Sequence, residues 1–145
     1  AWQDNPNLFY LGMQDQFHTF NMFDAQAWYV RDIILDRIKL PSFEIMKQDV
    51  IDRIEAEDAL EDDYGCIDYQ GAYTAELISE TDYPSFDIKA ADKAFYEWKK
   101  NKKKDIMGFR DNSHLSPMTG TMAPLHHTKW TEALDDSLEC YLQTS

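Results

Sequence analysis

The stretch from residue 8 to residue 38 constrains the fold more than any other part of this chain. Residues 8–13 read LFYLGM, a nearly continuous apolar run that is typical of a central strand buried on both faces of a parallel sheet. A polar loop follows at residues 14–19. A long amphipathic helix then begins at Phe20 or Asn21 and is ended by Pro41. The pattern predicts a strand, loop and helix whose loop amides and positive helix end face a ligand.

The remainder of the chain predicts helices and no second strand. We expect a helix capped by Ser42 and ending near Leu60, and further helices over residues 69–79, 90–103 and 131–142. In the first helix the predicted core face is Phe23, Ala27, Val30, Ile34 and Ile38, with Arg31 and Asp32 on other faces. A lone strand needs partners for its backbone, and the chain opens without Met, so we expect a piece of a larger sheet protein.

Composition excludes several classes of protein. The net charge of −13 argues against a nucleic-acid partner, and no apolar run reaches the ~20 residues that span a membrane. Cys66 and Cys140 lie far apart, so neither a disulfide framework nor a zinc site is expected, and a cytoplasmic location fits best. The lysine-rich run at residues 99–104 is interpreted as a solvated helix end, with an anion site as the alternative.

The loop at residues 14–19 carries the first candidate site. Gln16 and Thr19 offer uncharged donors and acceptors that suit a heterocycle with alternating carbonyl and N–H groups, such as a flavin ring. The nearby helix start would stabilise negative charge on such a ring. The alternative is a loop that only caps its helix, with Thr19 as the capping hydroxyl.

The irregular stretch at residues 105–128 carries the second candidate site. The guanidinium of Arg110 suits a phosphate or a cofactor carboxamide, although a pair with Asp111 or another carboxylate is the alternative. No metal site is expected: His126 and His127 are adjacent and point apart, and neither these two nor His18 and His114 receive a role. The five glycines are too scattered for a dinucleotide fingerprint, so the chain alone lacks the main cofactor contacts.

Several long motifs resemble bacterial flavin-containing monooxygenases, specifically the trimethylamine monooxygenase group. They are NPNLFYLGMQDQFHTFNMFDAQAWYVRDIILDRIKLPS, TDYPSFDI, FYEWKKNKKKDIMGFRDNSHLSPMTGTMAP and HHTKWTEALDDSLECYL. The resemblance lies at the carboxyl end of that family. It implies a mostly α-helical fragment of an α/β flavoprotein with two dinucleotide-binding domains: one terminal parallel-sheet strand, then about five helices. Residues 1–41 would be the last strand and helix of the FAD-binding domain, and residues 42–145 a helical carboxyl-terminal region with an NADP-contacting loop.

The resemblance also implies roles for three residues. Gln16 and Thr19 fall on positions that contact FAD in the family, and Arg110 falls on the position that contacts NADP. The implied reaction is NADPH- and FAD-dependent N-oxygenation of a small tertiary amine, trimethylamine to its N-oxide, by molecular oxygen through a C4a-hydroperoxyflavin. A homodimer is a further expectation, and the fragment alone is expected to be inactive. The alternatives are a sister monooxygenase acting on sulfides or other amines, and a non-catalytic acidic helical interaction module.

Overall fold

The computed structural model describes residues 5, 7–12, 17–111, 113, 115–117 and 120–121. These residues form four α-helices, α1 (Thr19–Ile34), α2 (Phe43–Asp58), α3 (Asp63–Ser79) and α4 (Ile88–Lys104), and a short 3-10 helix over Phe109–Asp111. The chain divides into two compact units, Ala1–Pro84 and Ser85–Ser145, which are described separately below. Among the helices of the described part, none combines the length and the apolar character needed to cross a bilayer.

The strand predicted at residues 8–13 is wrong over its described part, residues 8–12. These residues form no strand, and Leu8 and Leu11 are exposed. The backbone N–H of Leu8 donates to the Asn5 carbonyl at 3.0 Å, and that of Gly12 donates to the Gln26 side chain at 2.9 Å. A β-strand needs a neighbouring strand whose backbone groups accept and donate hydrogen bonds along its length. Here the Leu8 N–H instead bonds within a turn, and the Gly12 N–H bonds to a side chain.

The predicted count of five helices is likewise not confirmed. Four α-helices are present in the described residues, and the helix predicted at residues 131–142 lies outside them. The coarser expectation, a mostly helical chain, agrees with the structure.

In the first unit, α1 packs against α3 along a face that differs from the predicted one. The buried residues of α1 are Met22, Ala25, Gln26 and Asp32, whereas the predicted core residue Ile34 is 71% exposed and Ala27 is also exposed. Both sets of residues have helical spacing, so periodicity alone did not separate them. The polar side chains of Gln26 and Asp32 occupy buried positions because each forms hydrogen bonds there.

Local capping signals set where the later helices begin. The Ser42 hydroxyl accepts from the Ile45 N–H at 3.4 Å, which confirms the predicted start of α2. The third helix begins at Asp63 rather than at residue 69, because the Asp62 carboxylate caps it by accepting from the Gly65 N–H at 2.9 Å. Asp87 caps α4 in the same way, at 2.9 Å from the Ala90 N–H.

Arg53 links the second helix to α3. No residue of α2 is buried. Arg53 pairs with Glu76 of α3 at 2.9 Å and lies over the Tyr73 ring at 5.2 Å, and its carbonyl accepts from the Tyr69 hydroxyl at 3.3 Å. Since burial provides most of the packing energy of a helix, α2 is held less strongly than α1 and α3.

In the second unit, α4 turns through Asp105 into the 3-10 helix. The Asp105 carboxylate accepts from the N–H groups of Met107 and Gly108, at 3.1 and 3.0 Å. Phe109 is 2% exposed and meets Trp98 of α4 edge-to-face, with ring centroids 5.4 Å apart. The lysines at the end of α4 are exposed in its last turn, where positive charge offsets the helix dipole.

Candidate functional site

The start of α1 differs from the starts of the other three helices. Side chains cap α2, α3 and α4, whereas α1 has His18 at its N-cap position and no side-chain cap hydrogen bond within the described residues. No acidic residue lies in its first turn. Within the described residues, neither a side-chain cap at His18 nor an acidic first turn offsets the positive end of α1, and such an end suits an electron-rich ligand edge.

Two buried glutamines bind the backbone on either side of residues 13–16. The Oε1 atom of Gln70 accepts from the Phe17 N–H at 2.6 Å and from the His18 N–H at 3.4 Å. The Oε1 atom of Gln26 accepts from the Gly12 N–H at 2.9 Å. The sequence did not lead us to predict a role for either glutamine. The one local indication of their burial is that each shares a helical face with apolar residues.

Of the two predicted flavin-contacting residues, the structure describes one. Gln16 lies outside the described residues. Thr19 is the first residue of α1 and is half-buried, and its N–H donates to the Phe17 carbonyl at 2.9 Å. The alternative in which Thr19 caps the helix is wrong, because the N-cap position belongs to His18. His18 itself is buried.

Arg110, the predicted NADP-contacting residue, lies in the 3-10 helix of the second unit. Its side chain is exposed, and its guanidinium carbon lies 4.4 Å from the centroid of the Phe109 ring. Within the described residues it forms no ion pair, so the predicted alternative of a pair with Asp111 is not observed there. A guanidinium with free donors above a buried ring is suited to bind an anionic or carboxamide group.

A cavity of about 550 Å³ lies in the first unit between α1, α2 and α3. Tyr29, Arg53 and Tyr73 contribute to its wall. Burial raises the pKa of the Tyr73 phenol, against a smaller lowering by the hydrogen bond from Gln26 Nε2 at 3.2 Å, so the hydroxyl is neutral at physiological pH. Thr19 is not among the described residues that line this cavity.

The described residues contain no group of three or more His, Cys, Asp or Glu side chains placed to hold a metal ion. The predicted absence of a metal site at His114, His126 and His127 concerns residues outside the described part. Cys66 carries a free, half-buried thiol.

Comparison with known proteins identifies close sequence relatives of this chain. No family model matches the sequence. The trimethylamine monooxygenases of Roseovarius sp. (strain 217), Roseovarius nubinhibens and Methylocella silvestris are 67%, 62% and 56% identical to the chain, over 97–99% of its length. The chain spans only 31–32% of the length of these relatives.

The fold agrees with this relationship. The crystal structure of Tmm from Pelagibacter sp. strain HTCC7211 matches with a TM-score of 0.84 at 49% identity, over 97% of this chain and 32% of that one. Sequence and fold thus agree over nearly every residue: the chain is similar along almost its whole length to proteins named trimethylamine monooxygenase, and it spans about a third of theirs.

Proposed function

We propose that this chain is part of an NADPH- and FAD-dependent monooxygenase that converts trimethylamine, or a similar small tertiary amine, to its N-oxide. The observation that carries the proposal is the 67% identity over 143 residues to a protein named trimethylamine monooxygenase. Because the chain spans about a third of such proteins, the activity belongs to a full-length protein about three times as long. A non-catalytic helical module has no support among these relatives.

The start of α1 is the proposed contribution of this chain to the FAD site. Gln16 and Thr19 would hold the flavin, and the uncapped helix end would stabilise electron density at its edge. FAD supplies the activation of oxygen and the transfer of one oxygen atom. This chain supplies donors, a fixed backbone and a positive helix end. Replacing Gln16 and Thr19 together with Ala should weaken FAD retention, and a fully flavinated double variant would remove both from the site.

Arg110 is the proposed contribution to NADP retention. Its exposed guanidinium provides several donors in one plane, which suits a phosphate or the nicotinamide carboxamide. The Phe109 ring beneath it limits the orientations of the side chain. Retained NADP keeps water away from the reacting centre, so loss of this contact should waste reducing equivalents.

The test compares NADPH consumed, N-oxide formed and hydrogen peroxide released by the full-length protein and two variants. The wild type should form nearly equal amounts of N-oxide and oxidised NADP. Arg110→Ala should need more NADPH and release more peroxide, whereas Lys103→Ala, which removes an exposed charge from the same unit, should match the wild type.

The outcomes separate the parts of the proposal. Absence of N-oxide from the wild type, with FAD bound, would contradict the activity on amines, and oxidation of sulfides alone would favour the sister class of monooxygenase. Unchanged coupling in Arg110→Ala would remove only Arg110 from the site.

A further inference from the structure

We infer that Gln26 and Gln70 are positioning residues that hold the backbone on both sides of residues 13–16, and with it the start of α1, in the geometry that FAD requires. The inference rests on the proposed function. Neither glutamine needs to touch the cofactor, because each acts on main-chain atoms of the segment that leads to Thr19.

Gln70 determines the path of the chain immediately before α1. Its side chain lies in the interface of α3 with α1 and is 8% exposed. One amide oxygen has two lone pairs, so Oε1 accepts from both Phe17 and His18, at 2.6 and 3.4 Å. N–H groups at a helix start have no intrahelical acceptor, and leaving them buried without one is costly. Residues 17 and 18 are thus tied to α3.

Gln26 has the corresponding role at the other side of the segment. It is 5% exposed, and its Oε1 accepts from the Gly12 N–H at 2.9 Å while its Nε2 donates to the Tyr73 hydroxyl at 3.2 Å. Gly12 has φ +73°, and a Cβ at this position would lie 2.8 Å from the Phe23 ring. Residue 12 is therefore restrained at its amide and at its Cα.

The location of the two side chains argues for a role beyond packing. Both glutamines are among the buried residues of their helices, as are Met22 and Ala25 on α1 and Leu77 on α3. An apolar residue there would avoid the cost of burying an amide. The hydrogen bonds to residues 12, 17 and 18 offset that cost, and they join α1 and α3 to the same short segment. Rigid supports of this kind are what a preorganised cofactor site needs.

The experiment measures FAD affinity of the deflavinated full-length protein by fluorescence titration. Gln70→Met keeps the length of the side chain but removes the acceptor, and should weaken binding roughly tenfold. Gln26→Met should weaken it roughly fivefold.

A buried control separates positioning from general loss of stability. Thr74 of α3 is buried and donates its hydroxyl within its own helix, to the Gln70 carbonyl at 2.8 Å. Thr74→Val should therefore leave FAD affinity unchanged. If Gln70→Met does not fold, Gln70→Asn, which keeps the amide but shortens its reach by one methylene, takes its place and should also weaken binding.

The results distinguish this inference from the proposed function. If the wild type binds FAD and oxygenates trimethylamine, but Gln70→Met or Gln70→Asn binds FAD as tightly, the positioning role is overturned and the proposed function stands. Weakening by Thr74→Val equal to that by Gln70→Met would also overturn it. If the wild type binds no FAD, the proposed function fails first, and the positioning role falls with it.

Discussion

Truncation of Phe109 should loosen the turn that carries Arg110. Phe109 is 2% exposed and meets Trp98 edge-to-face at 5.4 Å. Replacing a buried Phe with Ala costs about 3–5 kcal/mol, of which the aromatic pair accounts for about 0.5–1.5 kcal/mol. A cost of about 3 kcal/mol in the local opening equilibrium corresponds to opening that is about 100-fold more frequent.

Hydrogen exchange of the full-length protein, followed by mass spectrometry, measures that opening directly. Phe109→Ala should accelerate exchange in the peptide that covers residues 105–111 by about 100-fold and weaken the NADP contact proposed for Arg110, since the ring beneath its guanidinium is lost. The control is Met107→Ala, because Met107 is 88% exposed in the same turn and should change neither quantity. Unchanged exchange in Phe109→Ala would refute the claim that this ring anchors the turn.

Three further perturbations test the first unit. The hydrogen bonds from Arg31 hold the pKa of the Asp32 carboxyl below its usual range. The pair should therefore protect the end of α1 from hydrogen exchange above about pH 4 and lose that effect as the pH falls further. Asp32→Asn should remove this pH dependence, and an unaltered pH profile would exclude the pair as its source. Gly12→Ala, which forces a side chain into a left-handed conformation against Phe23, costs about 1–2 kcal/mol for the backbone alone and should lower the thermal midpoint by about 2–8 °C; an unchanged midpoint would contradict the described geometry. Asp62→Ala should destabilise the first turn of α3 by about 1 kcal/mol, seen as faster exchange there and not in α4.

The sequence predicted best what local chemistry determines. Ser42 marked the start of α2 because a cap acts within one turn, but the predicted end of the first helix at Pro41 was wrong, since α1 ends at Ile34. The predicted start at residue 69 overlooked Asp62, whose carboxylate is an N-cap signal, and α3 begins six residues earlier than predicted. An Asp between two helices can belong to a polar loop or cap the next helix, and the local sequence alone does not distinguish the two.

The predictions failed where the answer depends on distant partners. The apolar run at residues 8–12 has strand composition, but strand formation requires a neighbour that the run itself does not specify. The face of α1 was misassigned because burial of Gln26 depends on contacts with Gly12 and with Tyr73, 47 residues away. The Gln70 contact with Phe17 spans 53 residues and has no local pattern.

The candidate site residues came from motifs rather than from periodicity. Residue type alone also allowed Thr19 to cap its helix and Arg110 to pair with a carboxylate, and the family motifs around both residues favoured cofactor contacts instead. The structure adds the uncapped start of α1 and the ring beneath Arg110, two features that depend on three-dimensional packing.

The most direct test of the central claim is the origin of the oxygen atom in the product. The full-length protein, supplied with FAD, NADPH and trimethylamine under ¹⁸O₂, should form trimethylamine N-oxide that carries one ¹⁸O atom by mass spectrometry. The same reaction under ordinary oxygen in H₂¹⁸O should give unlabelled N-oxide. Product that takes its oxygen from water, or flavin-loaded protein that forms no N-oxide, would contradict the proposal that this chain is part of an amine monooxygenase.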